Sequence, residues 1–301
     1  MASGAEPNPR LNDPVVPNLS ADELAEATAQ WNEAATFPTL MKDLGLELKP
    51  GSRFWNYHRY LVRRYPNAPH VPTLVSEAEI RRFGTMGLEM RRMLAAARHL
   101  GHLSEWKPLL RQALGGKDLP SDGGDHRPRD HQFHAYIAAV LARSGNIVRH
   151  SEPDIVLEFE RIPLGVAVKR AGSRANLPRL IEKGFAQISA RGFSGLVVVD
   201  VSRFITPYDN VLVTTNSKGV VQHVGQALGR LVDDVVPEGV KSPFVLGTAL
   251  FATVMSFDRT LGCMVPCTHW TTCTLWPRRD SRSFRLRRFH EHLRLAEMRM
   301  V

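Results

Sequence analysis

Glu152-Pro153-Asp154-Ile155-Val156-Leu157, followed by Gly165-Val166-Ala167-Val168-Lys169-Arg170, is the stretch on which the reading of this chain turns. An acidic residue enters an apolar strand directly after a proline. A second apolar, β-branched strand then ends in a lysine. Arg161-Ile162-Pro163 between them suits a hairpin, so strands are expected at about 154–160 and 164–169. A carboxylate is a hard oxygen donor for Mg²⁺, and a nearby lysine can support an attacking water or offset charge on a phosphorus centre. Asp154 and Lys169 are therefore the first candidates for chemistry.

Outward from this pair the pattern alternates helix and strand. Residues 131–144 read as an amphipathic helix with Phe133, Ile137, Val140 and Leu141 on one side and Gly145 as its stop. A helix over 177–191 leads through Gly192 into Gly195-Leu-Val-Val-Val-Asp200, a continuous apolar run typical of a strand covered on both faces. Another helix is expected over 217–235 and another buried strand over 244–257. The order α-β-β-α-β-α-β implies an α/β fold with one mixed sheet flanked by helices.

That order, with Pro153-Asp154 and Ala167-Val168-Lys169 on adjacent strands, resembles the PD-(D/E)xK nuclease superfamily, the restriction-endonuclease-like fold, over roughly residues 128–257. The resemblance implies metal-dependent cleavage of phosphodiester bonds, with DNA ahead of RNA as substrate and Mg²⁺ or Mn²⁺ as cofactor. Asp154 would ligate the cation, and the backbone carbonyl of Val168 would add a ligand. Lys169 would orient the nucleophilic water or offset phosphate charge. Gln187, in Ala186-Gln187-Ile188, would orient a water or contact the phosphate, and Arg170 would contact nucleic acid. A glutamate often supplied by the preceding helix is missing; Gln132 and Asp130 are the nearest residues.

The main departure is Ala167. The resemblance places a second metal-binding carboxylate there, and a methyl group cannot bind a metal. Three explanations stand. The carboxylate has moved to Glu158 or Glu160, which share a strand face with Asp154; activity has been lost and nucleic-acid binding kept; or a Glu-to-Ala substitution has been introduced. The alternative to an enzyme is a non-catalytic nucleic-acid-binding or assembly subunit on the same fold. A third class is an interaction module whose basic tail docks an acidic partner.

The remaining third of the chain is different in character. Residues 1–18 are rich in proline and asparagine and are expected to be disordered. Ser20 with Glu23, and Ser76 with Glu79, form capping boxes that open helices. Residues 53–64, with Trp55, Tyr57 and Tyr60 among arginines, read as helical, their aromatics marking an inner face. An all-helical domain over 19–114 is expected, joined to the nuclease-like domain, 131–301, by a linker at 115–130 that carries four glycines and two prolines.

A net charge of +9 favours a polyanionic partner. The tail interleaves Arg278, Arg279, Arg282, Arg285, Arg287, Arg288 and Arg294 with Phe284 and Phe289, a mix suited to tracking a nucleic-acid backbone, with a solvated helix as the alternative. Cys263, Cys267, His269 and Cys273 give four soft ligand types in eleven residues, so zinc is weighed against simple packing of strand cysteines. Three cysteines indicate no disulfide framework. No apolar run reaches a membrane span and no signal-peptide core stands at the N-terminus, so a cytoplasmic protein without a membrane partner is expected. The helical part is available for a protein partner or a second copy.

Overall fold

The computed structural model describes residues 32, 34–63, 76–206, 212–214, 217–235, 242–258, 263–277 and 279–298. The capping box at Ser20 and Glu23, the lead-in over 1–18 and Arg278 lie outside them. The first helices are α1 (34–43) and α2 (Arg53–His58), the latter continued by a single π-helical turn over Arg59–Arg63. They are followed by α3 (Glu77–Leu100) and α4 (Lys107–Ala113). Ser76 caps α3 by accepting the Glu79 N–H, as its sequence signature predicts, and Gly101 follows its last turn. The helix α5 (Arg127–Arg143) begins four residues earlier than expected, because Pro128 sits in the first turn, where its missing N–H costs nothing.

Among the described residues, seven strands form one mixed sheet. A hairpin series, β1 (Val148–Ser151), β2 (Asp154–Phe159) and β3 (Ile162–Arg170), is antiparallel throughout. After β3 the chain crosses over through α6 (Leu177–Arg191) to β4 (Gly195–Asp200), which runs parallel to it with Gly165 opposite Gly195. A one-turn helix α7 (Ser202–Ile205), a short strand β5 (Leu212–Thr214) and α8 (Ser217–Val235) return to β6 (Val245–Asp258). Strand β6 takes β4 and β5 in parallel, along successive stretches, while β7 (Cys263–Thr274) pairs with it antiparallel. Helix α9 (Ser281–Met298) follows β7.

The sheet divides the apolar residues into two layers. Ile155, Leu157, Leu164, Val166, Leu196, Val198 and Phe251 pack with α3, α5 and α9. Ala167, Val197, Val199 and Leu250 pack with Ile181 and Phe185 of α6 and Val224 and Leu228 of α8. Helix α6 can lie close because Gly184 faces Val197, where a Cβ would stand 2.6 Å from a valine methyl. The first layer does not stop at 115–130: one continuous core runs from Phe37 of α1 through Trp106 and Ile137 to Leu293 of α9. The glycine-rich segment is therefore a turn on a shared core, and its Lys117 and Asp118 carbonyls each accept a hydrogen bond from Arg129 at 3.0 Å.

The same core holds a sealed polar network. Glu89 of α3 accepts from Arg53 at 3.1 Å, from Arg129 at 2.7 Å and from the Tyr57 hydroxyl at 2.7 Å. Gln132 accepts from Arg53 at 3.1 Å and donates to the Glu89 backbone carbonyl at 2.6 Å. Burial alone would lift the Glu89 carboxyl, but the two guanidinium groups outweigh it and hold the acid below its ordinary value. The aromatic and arginine residues of α2 thus face inward, as expected for an inner helical face.

Candidate functional site

The site lies where β2 begins and β3 ends. Antiparallel pairing of Ile155 with Val166 continues by one step to set Asp154 opposite Ala167, and both share a face with Lys169 two residues on. Lys169 Nζ donates to Asp154 Oδ2 at 2.8 Å, and the Val168 N–H donates to the same oxygen at 2.7 Å. The two side chains keep 12% and 21% of their exposure, so the pair is open at one side to solvent. Among the described residues, Asp154 Oδ1 has no hydrogen-bond partner. A strand residue points its N–H and C=O to the same edge, so the Val168 carbonyl faces the side from which Asp154 is reached.

Two packing features hold the turn that presents Asp154. Gly165 makes room for Pro153 and Phe193; a Cβ there would stand 2.9 Å from the proline ring and 2.7 Å from the phenylalanine. On the opposite face His134 of α5 places Nε2 at 3.2 Å from the Asp154 carbonyl oxygen. Its ring sits edge-on to Trp106, at 5.7 Å, and to His150, at 5.3 Å. Burial, and after it the electrostatic effect of the neighbouring His150, pushes His134 down to about 3, so it is neutral and donates through Nε2–H to the carbonyl.

Ala167 is fully buried and belongs to the apolar cluster under α6. It shares the face of Asp154, as expected, but packing covers it. The two alternative carboxylates are not brought to Asp154. Glu158 lies four residues along β2, roughly 13 Å away at strand rise, and is exposed. Glu160 lies past the end of β2, in the turn with φ 54°, and pairs with Arg288 at 2.8 Å. Gln187 does reach the turn, but through Glu152: its Nε2 donates to Glu152 Oε2 at 3.4 Å, and its Oε1 is buried with no partner among the described residues. No family model, curated protein or solved structure matches the chain. Among the described residues no group of three or more metal-ligating side chains converges.

Arg170 is drawn inward. It donates to the buried Asp200 at 3.1 Å and lies 3.5 Å from Asp130, so the nearest acid on the preceding helix serves an ion pair. Asp200 also accepts the Ser202 N–H at 2.9 Å, capping the turn into α7. The sequence reading missed Glu152, although it stands two residues before Asp154; its proximity to Gln187 needed the fold. It also missed the support of His134, whose contact with the Asp154 carbonyl joins residues 20 apart in sequence.

The basic tail is a core helix. Leu286, Phe289 and Leu293 of α9 are buried against the sheet and α5. Arg282 is held by Asp280 at 2.8 and 2.7 Å and lies over the Trp276 ring. Arg285 reaches Ser194 at 3.5 Å, and Arg288 pairs with Glu160. Arg279 and Arg287 are exposed, as is Phe284, at 55%. The cysteine–histidine run lies along the single extended strand β7, which separates Cys267 from Cys273 by roughly 20 Å and prevents those two from sharing a tetrahedral ion. Both are buried thiols, and Cys267 contacts the Ser256 hydroxyl at 3.6 Å. No helix among the described residues is long and apolar enough to cross a membrane.

Proposed function

We propose that the protein carries a PD-(D/E)xK-type nuclease site that binds DNA and is disabled for cleavage at position 167. The observation that carries this reading is the Asp154–Lys169 contact at 2.8 Å on neighbouring strands, with a buried alanine directly opposite Asp154. The donor set falls short of a divalent cation: one carboxylate is already shared between an ammonium and a backbone N–H, and the opposing position is a methyl. Mg²⁺ is held by one or two carboxylates together with substrate phosphates and waters, so the surviving acid gives it little purchase here. What the chain's own residues can do is bind. Lys169 offers a positive charge to a phosphate, and Asp154 keeps that ammonium aimed at the end of the hairpin until an anion displaces it. With a net charge of +9, phosphate contacts would make DNA affinity fall steeply with salt.

The test compares four proteins side by side: the chain as given, Ala167→Glu, Asp154→Ala, and the double change. Plasmid nicking and Mn²⁺ binding confined to Ala167→Glu, with DNA binding present in the parent, is the expected result. Nicking by the parent that Asp154→Ala removes would show a working nuclease instead. Nicking that survives Asp154→Ala would place the site elsewhere. Inactivity of all four, with no metal bound, would leave a non-catalytic nucleic-acid-binding subunit as the reading. Charge reversal at the exposed Arg279 and Arg287 should flatten the salt dependence of DNA binding if α9 contributes phosphate contacts.

A further inference from the structure

A second concavity lies at the other end of the sheet, along β7. Its volume is about 500 Å³, and it is walled by α3, α5, α8, α9, β6 and β7. Pockets of this volume take drug-sized organic ligands, whereas a bare inorganic ion would leave most of it unfilled. The wall is of two kinds. Leu88, Tyr136, Val221, Pro266 and Trp270 supply apolar and aromatic surface. Arg91, Arg92, Arg294, His269 and His290 supply cationic or ionisable nitrogen, and no aspartate or glutamate lines the pocket among the described residues.

Two of the nitrogens stand out. Arg92 Nη2 and His290 Nε2 are buried and have no hydrogen-bond partner among the described residues. A buried polar atom left without a partner costs free energy comparable to a lost hydrogen bond, and such atoms are few in native proteins. The Arg92 guanidinium is otherwise placed at 5.4 Å from the ring centres of both Tyr136 and Phe251, which fixes its plane without satisfying its N–H groups. His290 donates its other ring N–H to the Trp270 backbone, so in the neutral ring Nε2 is left as an acceptor, open to a phosphate hydroxyl or to a proton taken up with the anion. Burial pushes both His269 and His290 down, and the Arg294 charge presses each further, which places three basic groups close enough to feel one another. The histidines are therefore neutral, and the positive charge of the pocket comes from Arg91, Arg92 and Arg294, which with no acid in the described lining favour an anion.

We infer that this pocket binds a small organic anion, a planar ring bearing a phosphate, with the ring against Trp270 and the phosphate on Arg92 and His290. A neutral ring would leave the two nitrogens unmet, and inorganic phosphate would leave the aromatic wall bare. The pocket is separated from Asp154 by the width of the sheet, since β7 and β2 lie on opposite sides of β3, β4 and β6.

The test titrates the full chain with adenosine 5′-monophosphate, adenosine and inorganic phosphate, by calorimetry and by tryptophan fluorescence. The monophosphate should bind at least tenfold more tightly than either of its parts and should quench fluorescence. That quench should disappear in Trp270→Phe while calorimetric binding persists. Arg92→Gln and His290→Phe should each weaken binding tenfold or more, with unfolding midpoints checked in parallel. If Arg92→Gln does not fold, Ala95→Phe, which narrows the same pocket, takes its place and should abolish binding. No binding of the monophosphate at millimolar concentration overturns the inference, as does equal binding of adenosine. Undiminished affinity in folded pocket variants, or a quench that survives Trp270→Phe, moves the ligand elsewhere and overturns it equally.

Discussion

Two clusters of paired charge in this protein, around Glu89 and around Asp154, are built alike and differ in closure. Around Glu89, two guanidinium groups, a phenol and a carboxamide spend their polar atoms on one another and on backbone carbonyls inside the core, with Arg53 Nε left without a partner among the described residues. Around Asp154, a single lysine and one backbone N–H share one carboxylate oxygen, the other is left over, and the pair faces solvent. A closed network contributes to a unique packing and has nothing to offer a ligand. A pair with a spare oxygen and an open side can exchange its partner. Burial and residual hydrogen-bonding capacity, more than the presence of charge, separate the structural cluster from the candidate functional one.

Removing the centre of the closed cluster should have the largest effect. Glu89→Ala leaves Arg53 and Arg129 buried without their acid and should cost about 3–5 kcal/mol of stability, read by urea unfolding. A loss below 1 kcal/mol would mean that the network is not sealed. Next is Ala167→Glu, which puts a carboxylate where a methyl is packed under α6. Without metal it should cost roughly 2–4 kcal/mol, from overpacking and desolvation. Added Mn²⁺ should recover part of that in the unfolding midpoint, and recovery should require Asp154.

The third effect is one of pH. His134 stands at about 3 in the folded protein against an ordinary 6.5, so the unfolded chain takes up a proton that the folded chain refuses. Stability is therefore full above pH 6.5 and falls as pH drops from there toward 3, by on the order of 2 kcal/mol at pH 5. His134→Gln should flatten that slope in unfolding measured at pH 7 and pH 5. An unchanged slope would show that other groups carry the pH dependence. The smallest effect belongs to the open pair. Asp154→Ala should shift stability by only about 1 kcal/mol, because a part-exposed ion pair gains little over its hydrated components. A loss as large as that of Glu89→Ala would erase the contrast between the two clusters.

Much of the sheet was legible because its strands announce themselves. The apolar run at 195–199 ahead of Asp200 and the proline-led entry at Asp154 marked β4 and β2, and the glycines at 145 and 192 marked helix ends. Strand β1 escaped notice because Val148-Arg149-His150-Ser151 is short and three of its residues are exposed at an edge. The segment 115–130 read as a linker because glycine and proline mark any turn, whether or not the flanking helices share a core. Spacing brought Asp154 and Lys169 to one face. It could not say that Ala167 lies beneath α6, that Arg170 turns to Asp200, or that α9 hides one side in the core, since each depends on contacts between elements distant in sequence.

Helix α5 has a consequence for how the chain could be divided. Its first two turns supply Arg129 and Gln132 to the closed cluster and His134 behind Asp154, and its later residues fill the layer beneath β3. Neither the helices before it nor the sheet after it can complete an apolar interior alone. A protease that nicks the backbone between Gly123 and Gly124 should thus release no autonomous fragment. The two pieces should co-migrate as a complex until denatured, and each produced separately should gain structure only when mixed with the other.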